Sequence, residues 1–236
     1  MNGIEIGHIV ELWRYPVKSM RGEMLNTLEI DGRGVVGDRL FALRTADGKL
    51  GSGKTSRRFQ QVDGLFRFHA WYEGETPVIR LPSGALLRGE ALTVDEALSA
   101  ALGLEVSLAR EGAVSHFDSS AIHLLTTASL RWLRDREPAA RIDSRRFRPN
   151  IVLEADGNGL LEDSWVGRTI QLGDAAILRI TKRTERCVMP NFAQDDLPAD
   201  GSILRALADG NEACLGVYTA VLQVGSVRQG DRAYLV

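Results

Sequence analysis

The chain has 236 residues, of which 44% are hydrophobic and 25% charged, a composition typical of a soluble globular protein with one large or two small domains. Its formal net charge of -2 and the lack of a long apolar run argue against nucleic-acid and membrane partners. Two cysteines are too few for a disulfide framework, and Met1–Glu5 lacks the pattern of a signal peptide, so we expect a cytoplasmic protein.

Strands dominate the first part of the chain, because apolar and polar residues alternate between turn residues. The first predicted helix begins at Thr93, where Thr93 and Glu96 fit a capping box, and it ends at Gly103. The predicted strands are Ile4–Tyr15, Met24–Ile30, Arg39–Arg44, Leu65–Tyr72 and Val78–Leu81. The alternating residues of the first strand are Ile4, Ile6, His8, Val10 and Leu12.

The second part mixes helices and strands. One helix is predicted after Thr127 and must end before Pro138, and another covers Ser202–Asp209 and is stopped by Gly210. Strands and helices do not alternate as in a doubly wound sheet, so we predict a mainly β fold with inserted helices (α+β) built on an antiparallel barrel. The polar segment 113–120 predicts a boundary between two units, residues 1–112 and 113–236. The later strands are Asn150–Glu154, Ala176–Thr181, Gly216–Val224 and Arg232–Val236.

The segment Gly48–Thr55 matches the phosphate-loop pattern G-x-x-x-x-G-K-[ST]. That motif requires a helix directly after it, whose N-terminus holds the phosphates. Gly64 follows too soon, and no apolar stripe of helical length lies between. We therefore expect a glycine-rich hairpin tip rather than a nucleotide site. A further interpretation is that Lys54, Arg57 and Arg58 touch an anionic ligand without nucleotide hydrolysis.

Positive charge is concentrated in four clusters. Each cluster alone is best interpreted as solvated surface, but together they would suit one anionic ligand, because arginine forks and lysine amines bind phosphate. The clusters are Arg14, Lys18 and Arg21; Lys54, Arg57 and Arg58; Arg145, Arg146 and Arg148; and Lys182, Arg183 and Arg186.

Cys187 follows one of these clusters. Nearby cations favour the thiolate, the form that binds soft metals or attacks electrophiles. Its own neighbourhood supports a reactive thiol and a buried inert thiol equally. Cys214 has no basic neighbours, so we expect a structural role. The four histidines are scattered and define no catalytic pairing.

Taken in order, the motifs give a more specific result. The sequence resembles the MOSC family, named after the C-terminal domain of molybdenum cofactor sulfurase, together with the small β-barrel domain that often precedes it. It looks like a compact relative of the amidoxime-reducing members of this family that occur in mitochondria. The resemblance covers nearly the whole chain. It is carried by Tyr15–Ser19, Gly37–Arg39, Thr55–Arg57, Arg146–Val152, Glu162–Trp165, Arg186–Cys187, Gly216–Tyr218 and Val227–Asp231.

The resemblance implies a pterin–dithiolene molybdenum cofactor whose phosphate lies among basic and hydroxyl side chains. Cys187 matches the family cysteine that ligates molybdenum or carries sulfur. Arg57 stands where the reductase branch often has T-A-R-Q. Tyr218 either lines the pocket or packs in the core. The implied cofactor-binding residues are Lys18, Ser19, Arg39, Arg57, Ser119, Ser120, Thr126, Arg148, Asn150 and Tyr218.

The function implied by the resemblance is an oxidoreductase that reduces N-hydroxylated or N-oxide small molecules at a cysteine-ligated molybdenum centre. The alternative is a sulfur carrier or cofactor-delivery module that uses a Cys187 persulfide without turnover. The sequence shows no cysteine-rich ferredoxin domain, so we expect electrons to come from a separate protein.

Overall fold

The computed structural model describes residues 3–236. Met1 and Asn2 lie outside the described residues; they are the first residues of the predicted first unit and of the segment Met1–Glu5, which we expect not to be a signal peptide. The helices are α1 (Val94–Leu102), α2 (Thr127–Arg136) and α3 (Ser202–Asn211). The strands are β1 (Ile4–Arg14), β2 (Glu23–Leu25), β3 (Thr27–Asp31), β4 (Gly34–Val35), β5 (Phe41–Thr45), β6 (Leu50–Ser52), β7 (Phe59–Gln61), β8 (His69–Glu73), β9 (Thr76–Arg80), β10 (Leu86–Arg88), β11 (Val106–Arg110), β12 (Ile122–Thr126), β13 (Ile151–Glu154), β14 (Thr169–Leu172), β15 (Ala176–Glu185), β16 (Cys214–Gln223), β17 (Gly225–Arg228) and β18 (Arg232–Leu235).

Seven strands form a closed barrel in the order β1-β13-β12-β16-β15-β14-β18, which returns to β1. All of its pairings are antiparallel except β12 with β13. Fully buried aliphatic side chains fill the interior, among them Ile9, Leu124, Ile151 and Val217. The predicted mainly β fold with inserted helices and an antiparallel barrel is confirmed.

The strand β1 departs from the alternation seen in the sequence. Ile9 and Leu12 are fully buried, whereas His8 and Ile4 are exposed. The register against β13 shifts between Ile9 and Glu11. Because a bulge inserts one residue, it turns the next side chains to the opposite face, so a strict period of two predicts the wrong buried residues.

A smaller unit packs beside the barrel. It contains the sheet β11-β5-β6-β7, the sheet β10-β9-β8 and α1, around a core that includes Leu43, Phe68, Ile79 and Leu98. The early strands β1 and β2 belong to the barrel sheet, and β3 pairs with β17. The barrel therefore takes strands from the first part of the chain as well as from the second, and the boundary at 112–113 stays a prediction.

The helices differ from expectation at their ends. Thr93 precedes α1 but forms no side-chain cap, and Asp95 instead accepts a hydrogen bond from the backbone N–H of Leu108 at 2.8 Å. The helix α3 continues through Gly210 to Asn211, and Glu212 takes the left-handed conformation that ends it. Gly210 packs against Trp132, where a Cβ would lie 2.9 Å from the ring.

Two further segments differ from the predicted strands. The first residues of the predicted strand Leu65–Tyr72 form a 3-10 turn, Leu65–Arg67, because Gly64 reverses the chain with φ 79. The strand β15 runs to Glu185, beyond the predicted Thr181, and so extends to the residue before Arg186. Within residues 3–236, no helix combines the length and hydropathy needed to cross a membrane.

Candidate functional site

Two adjoining cavities lie where the barrel meets the smaller unit. The inner one has a volume of about 70 Å³ and the outer one about 330 Å³. Asp118, Arg186, Cys187 and Tyr218 line both, so the two cavities form one recess. The remaining inner residues are Lys18, Ser19, Arg39, Phe117, Ser120, His123, Phe147, Arg148, Asn150 and Met189, and the remaining outer residues are Lys54, Ser119, Lys182, Arg183 and Glu185.

The segment after β1 supplies one wall. The backbone of Tyr15 and Lys18 pairs with the chain at Arg39 and Phe41, through N–H donors at 2.6 and 2.8 Å. The Tyr15 hydroxyl donates to the Pro149 carbonyl at 3.1 Å. These bonds fix three sequence-distant segments to one another, which positions the Lys18, Arg39 and Arg148 side chains at the same recess.

Three residues of the inner cavity have left-handed backbone: Ser19 (φ 65), Arg39 (φ 49) and Arg148 (φ 53). This conformation disfavours any residue with a Cβ, and such strain concentrates at functional sites. The left-handed conformation lets the chain turn sharply at each of these residues, and all three line the cavity.

Cations dominate the inner cavity. Burial lowers the pKa of Lys18 to about 8, although Asp118 accepts a hydrogen bond from its amine at 2.6 Å. Burial and the neighbouring Arg39 lower the pKa of Arg148 to about 10, and burial lowers the pKa of Arg186. These groups are crowded and poorly hydrated. An anion in the cavity would offset both the mutual repulsion of these cations and the loss of their hydration.

Two of the guanidinium groups have buried donors without a partner. Arg148 Nη2 and Arg186 Nε form no hydrogen bond with any atom of residues 3–236. One other donor group of each guanidinium is bonded to the backbone: Arg148 Nη1 donates to the Met20 carbonyl at 2.5 Å and Arg186 Nη2 to the Phe147 carbonyl at 2.8 Å. A buried donor without an acceptor is costly. The recess is therefore preorganised for an acceptor-rich ligand.

Cys187 is a free, half-buried thiol in the common wall of the two cavities. It follows the end of β15 and precedes the 3-10 turn Met189–Asn191. Tyr218 lies on β16, with its ring 5.8 Å from that of His123 and 5.8 Å from the Lys182 amine. Tyr218 is thus a residue of the recess rather than of the core. Cys214, by contrast, is buried, and burial raises the pKa of its thiol.

Asn150 forms hydrogen bonds to three of the segments around the recess. Its Oδ1 accepts from the His123 backbone at 3.2 Å and from Arg39 at 3.4 Å, and its Nδ2 donates to the Trp13 carbonyl at 3.2 Å. His123 is fully enclosed, and burial holds the pKa of its ring well below the usual value, so it is neutral. Asn150 therefore positions Arg39 against the barrel.

Most of the site residues expected from the sequence lie together, and two do not. Thr126 is fully buried elsewhere: it caps α2 by accepting from Ser129 N at 3.1 Å, and its hydroxyl donates to Glu162 at 2.7 Å. Arg57 is exposed and lines neither cavity. The residues that line the recess are Lys18, Ser19, Arg39, Ser119, Ser120, Arg148, Asn150, Cys187 and Tyr218.

Asp118, Phe117, His123, Phe147 and Met189 also line the recess and were not expected from the sequence. Two signals were available: Phe117 and Asp118 lie in the polar boundary segment, where a boundary between units often forms a ligand site, and Phe147 lies in the motif Arg146–Val152. The four basic clusters each contribute at least one member to the recess, namely Lys18, Lys54, Arg148 and the last cluster as a whole.

The phosphate-loop pattern does not form a nucleotide site. After Thr55 the chain continues into the strand β7, which pairs in parallel with β6, and no helix follows. The dipole and free N–H groups that hold a triphosphate are therefore missing from this segment. Lys54 instead lines the outer cavity, with its amine 5.3 Å from the Phe59 ring.

Comparison with known proteins identifies the class. The model of the MOSC N-terminal beta barrel domain matches residues 6–118, and the model of the MOSC domain matches residues 111–234. The chain belongs to the MOSC domain family. Two curated relatives are mitochondrial amidoxime-reducing component 1 of Mus musculus, 24% identical, and mitochondrial amidoxime reducing component 2 of Bos taurus, 23% identical; each alignment covers 98% of this chain and 83% of the relative.

A solved structure shares the fold. The YUAD protein from Bacillus subtilis superposes with a TM-score of 0.55 at 14% identity, over 97% of this chain and 94% of that one. The likeness extends through both units, so the pairing of the barrel with the smaller unit is common to the two proteins.

The recess fits the cofactor that this family implies. Unpartnered donors on Arg148 and Arg186 suit an anionic group such as a phosphate, and the surplus of buried cations suits its charge. A thiol at Cys187 is the soft ligand that molybdenum, like other thiophilic metals, accepts.

Proposed function

We propose that this chain is a molybdenum-cofactor-dependent oxidoreductase that reduces small N-hydroxylated or N-oxide compounds, with Cys187 as the protein ligand of the metal. The observation that carries the proposal is the free Cys187 thiol in the wall of a recess. Two buried guanidinium groups of this recess each have one donor nitrogen without an acceptor in residues 3–236. The names of the two amidoxime-reducing relatives support the reaction class.

In this proposal the chain binds the cofactor, orients it and shields it from solvent. Lys18, Ser19, Arg39 and Arg148 hold the phosphate of the cofactor, and Asn150 keeps Arg39 in place. Ser119, Ser120 and Tyr218 line the space for the pterin. When bound, the cofactor supplies the two-electron redox chemistry, and the protein supplies position and electrostatics. Electrons come from a separate donor protein.

The two cysteines allow a matched test. Protein from a host that makes the cofactor should contain about one molybdenum per chain and reduce an amidoxime with a chemical reductant. Cys187→Ala should abolish the reduction, whereas Cys214→Ala, which changes the buried cysteine outside the recess, should retain it. Full activity of Cys187→Ala would disprove the assignment.

A second candidate function is sulfur transfer without turnover. It is favoured by the half-buried position of Cys187, which the outer cavity beside Lys54 and Lys182 makes reachable from outside. Intact-mass analysis separates the two functions. A metal-free chain that carries one added sulfur atom, lost in Cys187→Ala, would support the carrier and contradict the oxidoreductase.

A further inference from the structure

A larger cavity lies on another side of the seam between the units. Its volume is about 610 Å³, and its walls include Trp13, Trp71, Arg80, Arg148 and Asp195; we call it the seam chamber. It shares Arg148 with the recess beside Cys187 and no other lining residue. The volume falls in the range of about 300–1,000 Å³ typical of small-molecule sites. The seam chamber is therefore a separate candidate site.

Aromatic rings form much of its wall. Trp13 lies nearly parallel to Tyr15, with 6.3 Å between ring centroids, and Trp71 lies 5.3 Å from His69. Burial and the nearby Arg21 lower the pKa of His69, so its ring is neutral at neutral pH. Flat, uncharged ring surfaces favour a flat ligand, because stacking rewards planarity.

The polar part of the wall is cationic. Four arginines and two carboxylates, Glu23 and Asp195, line the chamber. Asp195 is already engaged, since it lies 2.6 Å from Arg21 and 3.6 Å from Arg145, and Glu23 pairs with Arg14 at 2.9 Å.

Several donors of this wall remain without acceptors. Arg80 stands 5.2 Å from the centre of the Trp71 ring and, within residues 3–236, has no carboxylate within 4.0 Å. Arg21 Nε and Gln194 Nε2 are buried and have no hydrogen-bond partner in the part of the chain that the structure describes. The wall thus offers donors and positive charge beside an aromatic surface.

We propose that the seam chamber binds a planar aromatic carboxylate, with its ring against Trp71 and Trp13 and its carboxylate on the guanidinium of Arg80. A neutral aromatic ligand would leave the positive charge of the wall uncompensated, and a cationic one would be repelled by the arginines. The chamber meets the recess at Arg148, but the residues proposed to contact its ligand, Trp13, Trp71 and Arg80, take no part in the function proposed for Cys187.

Calorimetric titration with naphthoate tests the proposal. Naphthoate should bind, and its neutral isostere naphthamide and the non-planar cyclohexanecarboxylate should each bind at least about tenfold more weakly, the effect of losing one charge-assisted contact or the stacked ring. Equal affinity for naphthoate and naphthamide, or no binding of naphthoate, would overturn it.

Matched arginine variants locate the site. Arg80 and Arg110 are both exposed and both end a strand of the smaller unit, but only Arg80 lines the chamber. Arg80→Gln should raise the dissociation constant of naphthoate about tenfold, and Arg110→Gln should leave it unchanged. The same effect in both variants would show non-specific charge attraction and refute the site.

Two more variants separate this result from the proposed function and from misfolding. Trp71→Leu should weaken naphthoate binding, with circular dichroism reporting whether it folds; if it does not fold, the exposed Arg80→Gln alone decides the test. Cys187→Ala should bind naphthoate with unchanged affinity. A loss of binding in Cys187→Ala would place the ligand in the recess instead of the seam chamber.

Discussion

At the scale of single residues, the left-handed Ser19 combines strain with a proposed contact. Glycine adopts φ 65 freely, so Ser19→Gly should raise the free energy of unfolding by about 1 kcal/mol. Ser19→Ala keeps the strain and should not gain this stability. Both variants lack the hydroxyl, so both should carry less molybdenum. Urea unfolding and metal analysis measure the two effects, and equal stability of the variants would contradict the account of the strain.

Glu111 gives a pH prediction. Burial opposes its ionised form, but hydrogen bonds from Arg33 and from the His116 backbone outweigh this and hold its pKa at about 2, below the ordinary 4.5. The folded state therefore gains stability above pH 4.5 and loses it as the pH falls towards 2. The contribution is about 2 kcal/mol after allowance for solvent screening.

The matched variants for this pair are Glu111→Gln and Glu105→Gln. Arg33 donates to both carboxylate oxygens of Glu111 at 2.7 Å, whereas Glu105 is exposed before β11. Glu111→Gln should lower stability at neutral pH and flatten its dependence on pH between 4.5 and 2, and Glu105→Gln should change neither. Unfolding in urea at several pH values provides the comparison; an unchanged slope in Glu111→Gln would exclude this carboxyl as the cause.

At the scale of elements, Gly216 shows how a strand accommodates the recess. It has φ 77, and a Cβ there would lie 2.3 Å from His123 Nε2 and 2.7 Å from the Leu124 carbonyl oxygen. Gly216→Ala should therefore lower the free energy of unfolding by about 3 kcal/mol or more, from strain and overlap together.

Gly103 is the control for this effect. It has a similar φ of 65 at the end of α1, but a Cβ there would meet no atom within 4 Å. Gly103→Ala should cost only the strain, about 1 kcal/mol. Thermal unfolding of the two variants distinguishes overlap from backbone strain. Similar losses in both would show that the contact with β12 is unimportant.

The elements also show what sequence patterns can predict. That β1, β9, β16 and β18 are strands was predictable, because their apolar residues are frequent and turn residues mark their ends. The bulge in β1 was not, since a shift in register depends on the partner β13 and leaves no mark on local periodicity. The capping box at Thr93 and Glu96 was also wrong, since Thr93 forms no side-chain cap, and of the acidic residues in the first turn of α1 it is Asp95 that accepts a hydrogen bond, from Leu108 of β11.

At the scale of the whole molecule, the site depends on the convergence of distant segments. Lys18, Arg39, Arg148 and Cys187 could be predicted because ordered motifs contain them. Thr126 and Arg57 belong to comparable motif regions, yet one faces α2 and the other solvent. The seam chamber was not predictable, because its rings and arginines come from β1 and the residues after it, from β8, from β9 and from the segment 145–148, which no single motif joins.

The pairing of β1 with both β13 and β18 has a consequence for synthesis of the chain. β1 leaves the ribosome early and can pair at Leu12–Arg14 with β2, which follows it directly, but β13 and β18 are made only later, β18 at the end of the barrel sequence. The smaller unit, whose strands β5 to β11 lie close together in sequence, can fold while translation continues. Barrel closure must wait for the last strand, so the residues of β1 before the β2 pairing keep unpaired edges during that interval, and such edges are prone to aggregation.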